Sequence, residues 1–295
     1  MDLSIIIVSY NTKKVFQDCL QSIKNSQDKL KKEVIVVDNN SSDDSPTMVR
    51  KKFPDYKFIV NKSNLGFAKA NNIAVQQAKG KYVWLLNSDT ILKPDTIDKL
   101  LNLAKQHQSH IASCQLLNQD NTIQPQGGFL PKLFTNLAAW MFFIDDIPLI
   151  KYFLKPYQQR SLSFFKKDQH PGWLAGTALL IKRSLYQQLK GLDENIFMYG
   201  EDVEFCLRAS QQNIKPDYFH QPKLVHLGQA SPGSQAIIGE YQGLKYIFKK
   251  HKPKYQYPLL RLLLKIGALL RIIIFAIILR DKQKKQTYEK AFKLA

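Results

Sequence analysis

Cysteine is scarce in this sequence and forms no ligand pattern. Cys19, Cys114 and Cys206 are the only cysteines among 295 residues, and no CxxC pair occurs. Three scattered cysteines exclude a disulfide framework, and without paired cysteines a structural zinc site has no ligand set. We therefore expect a protein of a reducing compartment.

The chain also lacks the features of an exported or fibrous protein. It begins MDLSIIIVSYN, with Asp2 where an export signal would be basic, and no cleavage site follows. Gly and Pro number 13 each, no internal repeat occurs, and 44% of the residues are hydrophobic. These counts exclude a disordered or collagen-like chain and predict a globular protein with a sizeable core that is not exported.

Acidic residues are few, and the resulting positive charge is unevenly spread. The chain has 24 Asp and Glu against 43 Lys and Arg, a formal charge of +19. Residues 245–295 contain 14 Lys and Arg but only Asp281 and Glu289 as acids, so +12 of the +19 lies there. A basic tail favours an anionic partner: anionic lipid, nucleic acid or a phosphorylated substrate, between which composition does not decide.

Short apolar runs alternate with helical patterns over the first two thirds of the chain. This order predicts an α/β fold, with a parallel sheet covered by helices on both faces. Residues 125–171 are irregular and aromatic-rich, and we expect them to form a loop-and-helix insertion that borders an acceptor site. The predicted strands are residues 3–9, 33–37, 57–61, 82–86, 111–116 and 178–182. The predicted helices include residues 94–107, a helix from Ser184 and residues 202–212.

Polar side chains follow two of the apolar strands, at the sheet edge where α/β proteins bind ligands. Asp38 ends the second strand and opens the run DNNSSDD, and Asn87, Ser88 and Asp89 follow YVWLL. Asp38 is placed to bind a nucleotide, and Asp89 to hold Mg²⁺ or Mn²⁺ together with substrate phosphates. The alternatives are a solvated turn for Asp38 and a helix or turn cap for Asp89.

A second acidic group begins the helix in GLDENIFMYGEDVEFCLRA. Glu201 and Asp202 are adjacent there, and His226 follows in LVHLGQAS. Helix capping explains one acid well and two acids less well, so a general base is the competing interpretation. Taken alone, His226 is more typical of a structural histidine than of a ligand.

Together these segments resemble the GT-A glycosyltransferases of family 2, especially the bacterial branch that transfers rhamnose and related sugars to surface polysaccharides. The resemblance covers about residues 3–230, and seven segments in the same order make it specific. They are SIIIVSYN (4–11), VVDNNSSD (36–43), NLGFAKANN (64–72), LLNSDT (85–90), GWLAGTALLIKR (172–183), GLDENIFMYGEDVEFCLR (191–208) and VHLGQAS (225–231).

The resemblance implies the GT-A fold, an α/β fold with a mixed, mostly parallel sheet, and with it a donor pocket and a metal site. Asp89 corresponds to the last acid of the family's DxD motif, but Asn87 replaces the first, and His226 matches a position that ligates metal in some relatives. The implied metal is Mg²⁺ or Mn²⁺, because a diphosphate leaving group needs charge neutralisation. The residues implied to bind the nucleotide-sugar are Ser9, Tyr10, Asp38, Asn64, Gly66, Asn71, Asn87, Ser88 and Gly176.

The implied activity is sugar transfer with inversion at the anomeric carbon. Asp202 corresponds to the catalytic base, with Glu201 beside it. The branch implies dTDP-rhamnose as the first donor, followed by UDP-N-acetylglucosamine and UDP-galactofuranose. The acceptor would be a glycan or a polyprenyl-diphosphate-linked sugar.

The C-terminal tail predicts attachment to a membrane surface. We divide the chain into a catalytic domain, 1–240, and a basic amphipathic helical tail, 241–295. Residues 259–279 are about long enough to span a bilayer. Within them, Arg261, Lys265 and Arg271 would each cost on the order of 2.5–3.5 kcal/mol at its centre.

A helix lying in the headgroup region, with its cations in water, is therefore favoured over a spanning helix and over a helix buried in a homo-oligomer. The expected location is the cytoplasmic face of the cell membrane.

Two functions of other classes compete with transfer. The charge permits nucleic-acid binding, but no helix-turn-helix, RNP or zinc-finger pattern occurs, and we expect no nucleic-acid partner. An inactive GT-A domain acting as a membrane scaffold is the other alternative, and the presence of Asp89, Glu201 and Asp202 argues against it.

Overall fold

A computed structural model describes residues 1–147, 154–229 and 233–295. Ala230 and Ser231, which end the VHLGQAS segment, and part of the 125–171 insertion lie outside the described residues. The strands are β1 (Leu3–Ser9), β2 (Lys32–Asp38), β3 (Lys57–Val60), β4 (Tyr82–Asn87), β5 (Thr90–Leu92), β6 (Ile111–Leu117), β7 (Ile123–Gln124), β8 (Ala178–Lys182) and β9 (Asp217–His226).

Ten α-helices connect and follow these strands within the described ranges. The predicted alternation of apolar strands and amphipathic helices is thereby confirmed over the first half of the chain. The helices are α1 (Lys13–Lys24), α2 (Ser45–Lys52), α3 (Gly66–Gln76), α4 (Thr96–Gln106), α5 (Ala138–Met141), α6 (Arg183–Gln188), α7 (Glu201–Ser210), α8 (Gly233–His251), α9 (Gln256–Ile273) and α10 (Lys282–Leu294).

The strands form one mixed sheet in the order β3-β2-β1-β4-β8-β6-β9-β5, with β7 paired to β6. The first four strands are mutually parallel. The pairings of β8 with β4 and β6, of β5 with β9 and of β7 with β6 are antiparallel. The predicted mixed α/β sheet is confirmed.

Alternate residues of the central strands fill two cores, one on each face of the sheet. On β1, Ile6 belongs to one cluster, while Ile5 and Ile7 belong to the other. This explains why the strand is continuously apolar: both faces are covered, so neither can be polar. The register also aligns the strand ends, because Ser9 pairs with Asp38 and Val8 with Asn87. The polar groups predicted at the sheet edge are thus neighbours.

The C-terminal helices are part of the larger core. Leu260, Leu264 and Ala268 on α9 and Ala291 on α10 are buried in the same cluster as β1 and β4 residues. The predicted boundary at residue 240 falls inside α8, which continues to His251. The tail is therefore packed on the catalytic fold rather than appended to it.

Arg271 corrects one expectation about this tail. We expected it to lie in water, but its side chain is only 5% exposed. Its guanidinium donates to the carbonyls of Trp140 and Met141, each at 2.9 Å, and lies 4.3 Å from the ring centroid of Phe143. The helical pattern does not distinguish a cation facing water from one bound to backbone carbonyls of a neighbouring helix.

The opposite face of α9 is apolar and exposed. It presents a side chain at every third or fourth position: Leu259, Leu262, Ile266, Leu269 and Ile273. We call these five residues the α9 stripe. Within the described ranges no helix has the length and apolarity of a membrane span.

Arg271→Ala should destabilise the fold by roughly 2–4 kcal/mol, because it leaves two buried carbonyls without donors and opens a cavity among aromatic rings. Urea unfolding monitored by circular dichroism measures this change. The control is Lys254→Ala, an exposed cation just before α9, expected to stay within about 0.5 kcal/mol of the parent. Equal midpoints for the two variants would show that the Arg271 contacts contribute nothing.

Candidate active site

A cavity of about 390 Å³ opens at the carboxyl edge of the parallel strands. That volume suits a small organic ligand. The strand ends contribute Val8, Tyr10, Asn39, Asn87 and Ser88. The opposite wall comes from the insertion and α8 and includes Tyr157, Gln158, Gln235 and Glu240, with Glu201 and Asp202 also lining the cavity.

The start of α7 fixes the Asp202 carboxylate. Its Oδ2 accepts a hydrogen bond from the Gly176 N–H at 2.9 Å, and its Oδ1 accepts one from the Val203 N–H at 2.7 Å. The positive end of the helix dipole favours negative charge at this position. Two backbone donors on separate elements therefore hold the carboxylate in place.

Glu201 is the more buried of the two acids. Its Oε2 has no hydrogen-bond partner among the described residues. Burial, together with the charge of Asp202, raises the pKa of Glu201, and burial raises the pKa of Asp202 as well. Because adjacent carboxylates cannot both ionise at low cost, the pair retains a proton above the usual pH range of carboxyl groups.

Helix α8 packs tightly on the loop that precedes α7. A Cβ on Gly243 would lie 2.6 Å from the Tyr199 carbonyl oxygen, and one on Gly239 would lie 2.5 Å from the Tyr199 ring. Gly200 has a positive φ of 103°, which glycine adopts readily. Only glycines at these positions let the helix backbone approach so closely. The contact positions α8 and the Glu201–Asp202 pair relative to each other.

Glu240 is a cavity carboxyl that sequence reasoning missed. It lies on α8 between the two close-packed glycines and accepts a hydrogen bond from Gln158 Nε2. Burial raises its pKa to about 7, against hydrogen bonds from Gln158 and Tyr157 that lower it. A signal was present in the sequence, because Glu240 is the one acid in the apolar and basic segment 233–251.

Asp89 and His226 lie side by side at the ends of β4 and β9, without lining the cavity. Asp89 Oδ1 is 3.4 Å from His226 Nε2, and Asp89 Oδ2 accepts from the Gln229 N–H at 2.8 Å. His226 Nδ1 lies 2.7 Å from Gln124 Oε1. When Nδ1 donates to that oxygen, Nε2 presents a lone pair toward the carboxylate, as in metal-binding histidines.

This pair fits a metal whose remaining ligands come from a substrate. The described residues contain no group of three or more His, Cys, Asp or Glu arranged to hold an ion. Mg²⁺ typically uses one or two protein carboxylates and completes its shell with phosphate and water.

Some of the residues predicted to bind the nucleotide-sugar line the cavity, and others do not. Ser9, Asp38, Gly66 and Asn71 do not line it. Asp38 is 1% exposed and accepts from the Ser41 N–H at 2.9 Å, while Asn71 donates to the Phe67 carbonyl at 2.9 Å. The predicted residues that do line it are Tyr10, Asn64, Asn87, Ser88, Gly176, Glu201 and Asp202.

Other lining residues were not predicted. Thr12 and Asn39 follow predicted site residues, and Phe67 faces Gly176 from α3. The amide of Asn39 donates to the Gly66 carbonyl at 3.1 Å, which joins two predicted segments at this wall. The sequence signal for these three residues was their position within or next to the matching segments SIIIVSYN, VVDNNSSD and NLGFAKANN. Their residue types alone do not indicate a binding site.

Residues 4–189 match the family model described as glycosyl transferase family 2. The match covers more than half of the chain, and the chain belongs to this family. It is a glycosyltransferase, as the resemblance implied.

Relatives of known name are similar over most of the chain. The N-acetylglucosaminyl-diphospho-decaprenol L-rhamnosyltransferase of Mycobacterium tuberculosis is 26% identical over 231 residues, 73% of this chain and 73% of that protein. The rhamnosyltransferase WbbL of Escherichia coli K12 is 25% identical over 247 residues, 79% of this chain and 87% of that protein.

Solved structures share the fold. The mannosyltransferase PcManGT from Pyrobaculum calidifontis, in complex with GDP-Man and Mn²⁺, superposes with a TM-score of 0.60 at 17% identity, covering 99% of this chain and 86% of that one. TarS 1–349 of S. aureus in complex with UDP gives a TM-score of 0.57 at 16% identity, covering 99% and 90%. The predicted GT-A fold with C-terminal helices is confirmed.

Glu240→Gln should make stability less dependent on pH. Since the folded pKa of about 7 exceeds the 4.5 of an ordinary glutamate, burial costs more as pH rises through this window. The parent should lose more melting temperature between about pH 5 and pH 8 than the variant does. Glu289→Gln, which removes a surface carboxylate on α10, is the control. The same change of melting temperature with pH in Glu240→Gln and in the parent would contradict the raised pKa of Glu240.

Proposed function

We propose that this protein is an inverting glycosyltransferase that moves a sugar from a nucleotide diphosphate to an acceptor hydroxyl. The observation that carries the proposal is the Asp202 carboxylate, held by two backbone N–H groups in the cavity at the carboxyl edge of the parallel strands. The edge at Asn87 and Ser88 receives the nucleotide diphosphate, and the wall of Tyr157 and Glu240 faces the acceptor.

Asp202 acts as the general base. An acceptor hydroxyl has a pKa far above 7 and must lose its proton as its oxygen bonds to the anomeric carbon. The carboxylate takes that proton while the bond from the anomeric carbon to the diphosphate oxygen breaks. Attack opposite the leaving group inverts the configuration and requires no covalent enzyme intermediate. The raised pKa of Asp202 makes it a better proton acceptor than an exposed aspartate.

Asp89 and His226 would hold Mg²⁺ or Mn²⁺. Their 3.4 Å approach and the orientation of His226 by Gln124 support the assignment. Bound there, the metal would neutralise charge on the leaving diphosphate. With Asn87 in place of an acid, the protein offers one carboxylate, so affinity depends on the nucleotide-sugar.

The donor is dTDP-rhamnose, with UDP-N-acetylglucosamine and UDP-galactofuranose as the next candidates. Support comes from the names of two relatives that are similar over at least 73% of this chain, both rhamnosyltransferases. The acceptor is a sugar carried on a polyprenyl diphosphate, because the mycobacterial relative is named for such an acceptor.

The α9 stripe attaches the protein to the cytoplasmic face of the membrane. One face of α9 packs on the core, and the opposite face exposes the five apolar residues, with Leu262 57% exposed. Exposed cations Arg261, Arg280 and Lys282 lie beside the stripe and its C-terminal end, where they can meet anionic headgroups.

Asp202→Asn should lower kcat by roughly two orders of magnitude or more, because the hydroxyl proton loses its acceptor. Initial rates of transfer from dTDP-rhamnose measure this, and the Kd for dTDP should stay unchanged. Glu194→Gln, a surface acid outside the cavity, is the control. Near-normal turnover of Asp202→Asn, with loss in Glu201→Gln, would move the base to Glu201.

The triple substitution Leu262→Ser, Leu269→Ser and Ile273→Ser should weaken sedimentation with phosphatidylglycerol vesicles at least tenfold, because each apolar side chain contributes about 1.5 kcal/mol or more on burial. Substitution is preferable to deletion, since α9 also supplies core residues. Val60→Ser removes an exposed apolar residue from β3 and is the control. Vesicle binding that survives the triple change would place the membrane contact elsewhere.

A further inference from the structure

A second cavity, of about 710 Å³, adjoins the first. Its described lining runs mainly from Leu154 to Gln169, in the insertion whose role the family motifs leave open. Gln158 lines both cavities, so they share a wall. A ligand that extends from one to the other would pass this residue.

The second cavity is suited to an anion. Among its described lining residues, Lys155, Arg160 and Lys167 are cations with exposed side chains, and Asp145 is the one acid. Ser161 and Ser163 add hydroxyl donors, with Gln159 and Gln169 as amide donors. Phosphate oxygens in proteins are usually bound by Lys and Arg side chains together with neutral hydrogen-bond donors.

Hydrogen bonds fix the segment between the two cavities. The Trp173 Nε1–H donates to the Tyr157 carbonyl at 2.9 Å, and the Phe129 N–H donates to the Pro156 carbonyl at 3.0 Å. Gln158 donates to Glu240 in the first cavity. The backbone at Pro156 and Tyr157, which follows Lys155, is therefore held at a defined position relative to Glu240.

Arg160 lies close to the boundary between the cavities. Burial raises the pKa of Glu240, and the Arg160 charge is among the influences that oppose the rise. The same charge also acts on Tyr288 of α10, a helix that packs against α9.

We propose that the second cavity binds the diphosphate of a lipid-linked sugar whose sugar ring occupies the first cavity. The inference rests on the proposed function and adds the place where the acceptor's phosphates bind. Phe129, Leu162 and Phe164 also line the second cavity and suit the first carbons of the lipid chain. The neutral and acidic wall of the first cavity suits sugar hydroxyls, whereas the basic wall of the second suits phosphates.

The test is calorimetric titration with farnesyl diphosphate and, separately, farnesol, both without divalent metal so that the diphosphate is not drawn to Asp89. Lys155→Gln/Lys167→Gln should weaken farnesyl diphosphate binding about tenfold and leave farnesol binding unchanged. Lys51→Gln/Lys182→Gln removes two exposed lysines elsewhere and should bind like the parent. Equal affinity of all three proteins for farnesyl diphosphate would overturn the site.

Anionic lipid headgroups offer the same phosphate chemistry, so phosphatidylglycerol vesicles form a second arm. The Lys155/Lys167 variant should sediment with them as the parent does. A loss of vesicle binding that matches the loss of farnesyl diphosphate binding would assign the lysines to the membrane surface and overturn the inference.

Transfer assays separate this inference from the proposed function. Lysine-dependent binding of farnesyl diphosphate, with no transfer to any diphosphate-linked sugar, would contradict the proposed function but support the anion site. Transfer whose acceptor KM does not change in the Lys155/Lys167 variant would overturn the site and leave the function standing.

Discussion

The close approach of α8 to the loop before α7 is the contact on which the candidate site depends. Gly239 and Gly243 bring the α8 backbone against Tyr199 and Gly200. On one side of this contact α7 begins and orients Asp202; on the other, α8 carries Glu240 into the same cavity. Helix α8 lies beyond residues 4–189, which match the family model. The cavity is therefore completed by helices outside the matched segment.

The C-terminal helices also contact the cavity wall. Helices α9 and α10 pack against α8, and Arg271 of α9 donates hydrogen bonds to the carbonyls of Trp140 and Met141 in the insertion. Trp140, whose carbonyl accepts from Arg271, packs edge-on against Tyr157 of the cavity wall. Helix α9 is thus connected to Tyr157 of the cavity wall through Arg271 and Trp140. Although the chain has a formal charge of +19, the described lining of this cavity contains three acids and no Lys or Arg.

The sequence predicted what depends on local pattern and missed what depends on tertiary contact. Strands β1, β2 and β4 were predictable because continuous apolar runs require a sheet covered on both faces. Strand β9 was missed because it contains Pro222 and alternates polar residues, and its pairing with β6 shifts register between Cys114 and Gln115. Motif order predicted the carboxylates at the α7 start. The place of Glu240 in the cavity and the buried state of Arg271 were not predictable, since each depends on which helix packs against which loop.

The most direct measurement is a crystal structure of the protein with dTDP and Mn²⁺, in which anomalous scattering locates the metal. The account predicts a manganese peak bonded to the Asp89 carboxylate and to the diphosphate. The nucleotide should lie along the strand ends at Asn39 and Ser88. The Asp202 carboxylate should lie beyond the terminal phosphate, across the space that the donor sugar would occupy. Nucleotide bound away from these strand ends, or manganese held by other residues with Asp89 still paired to His226, would contradict it.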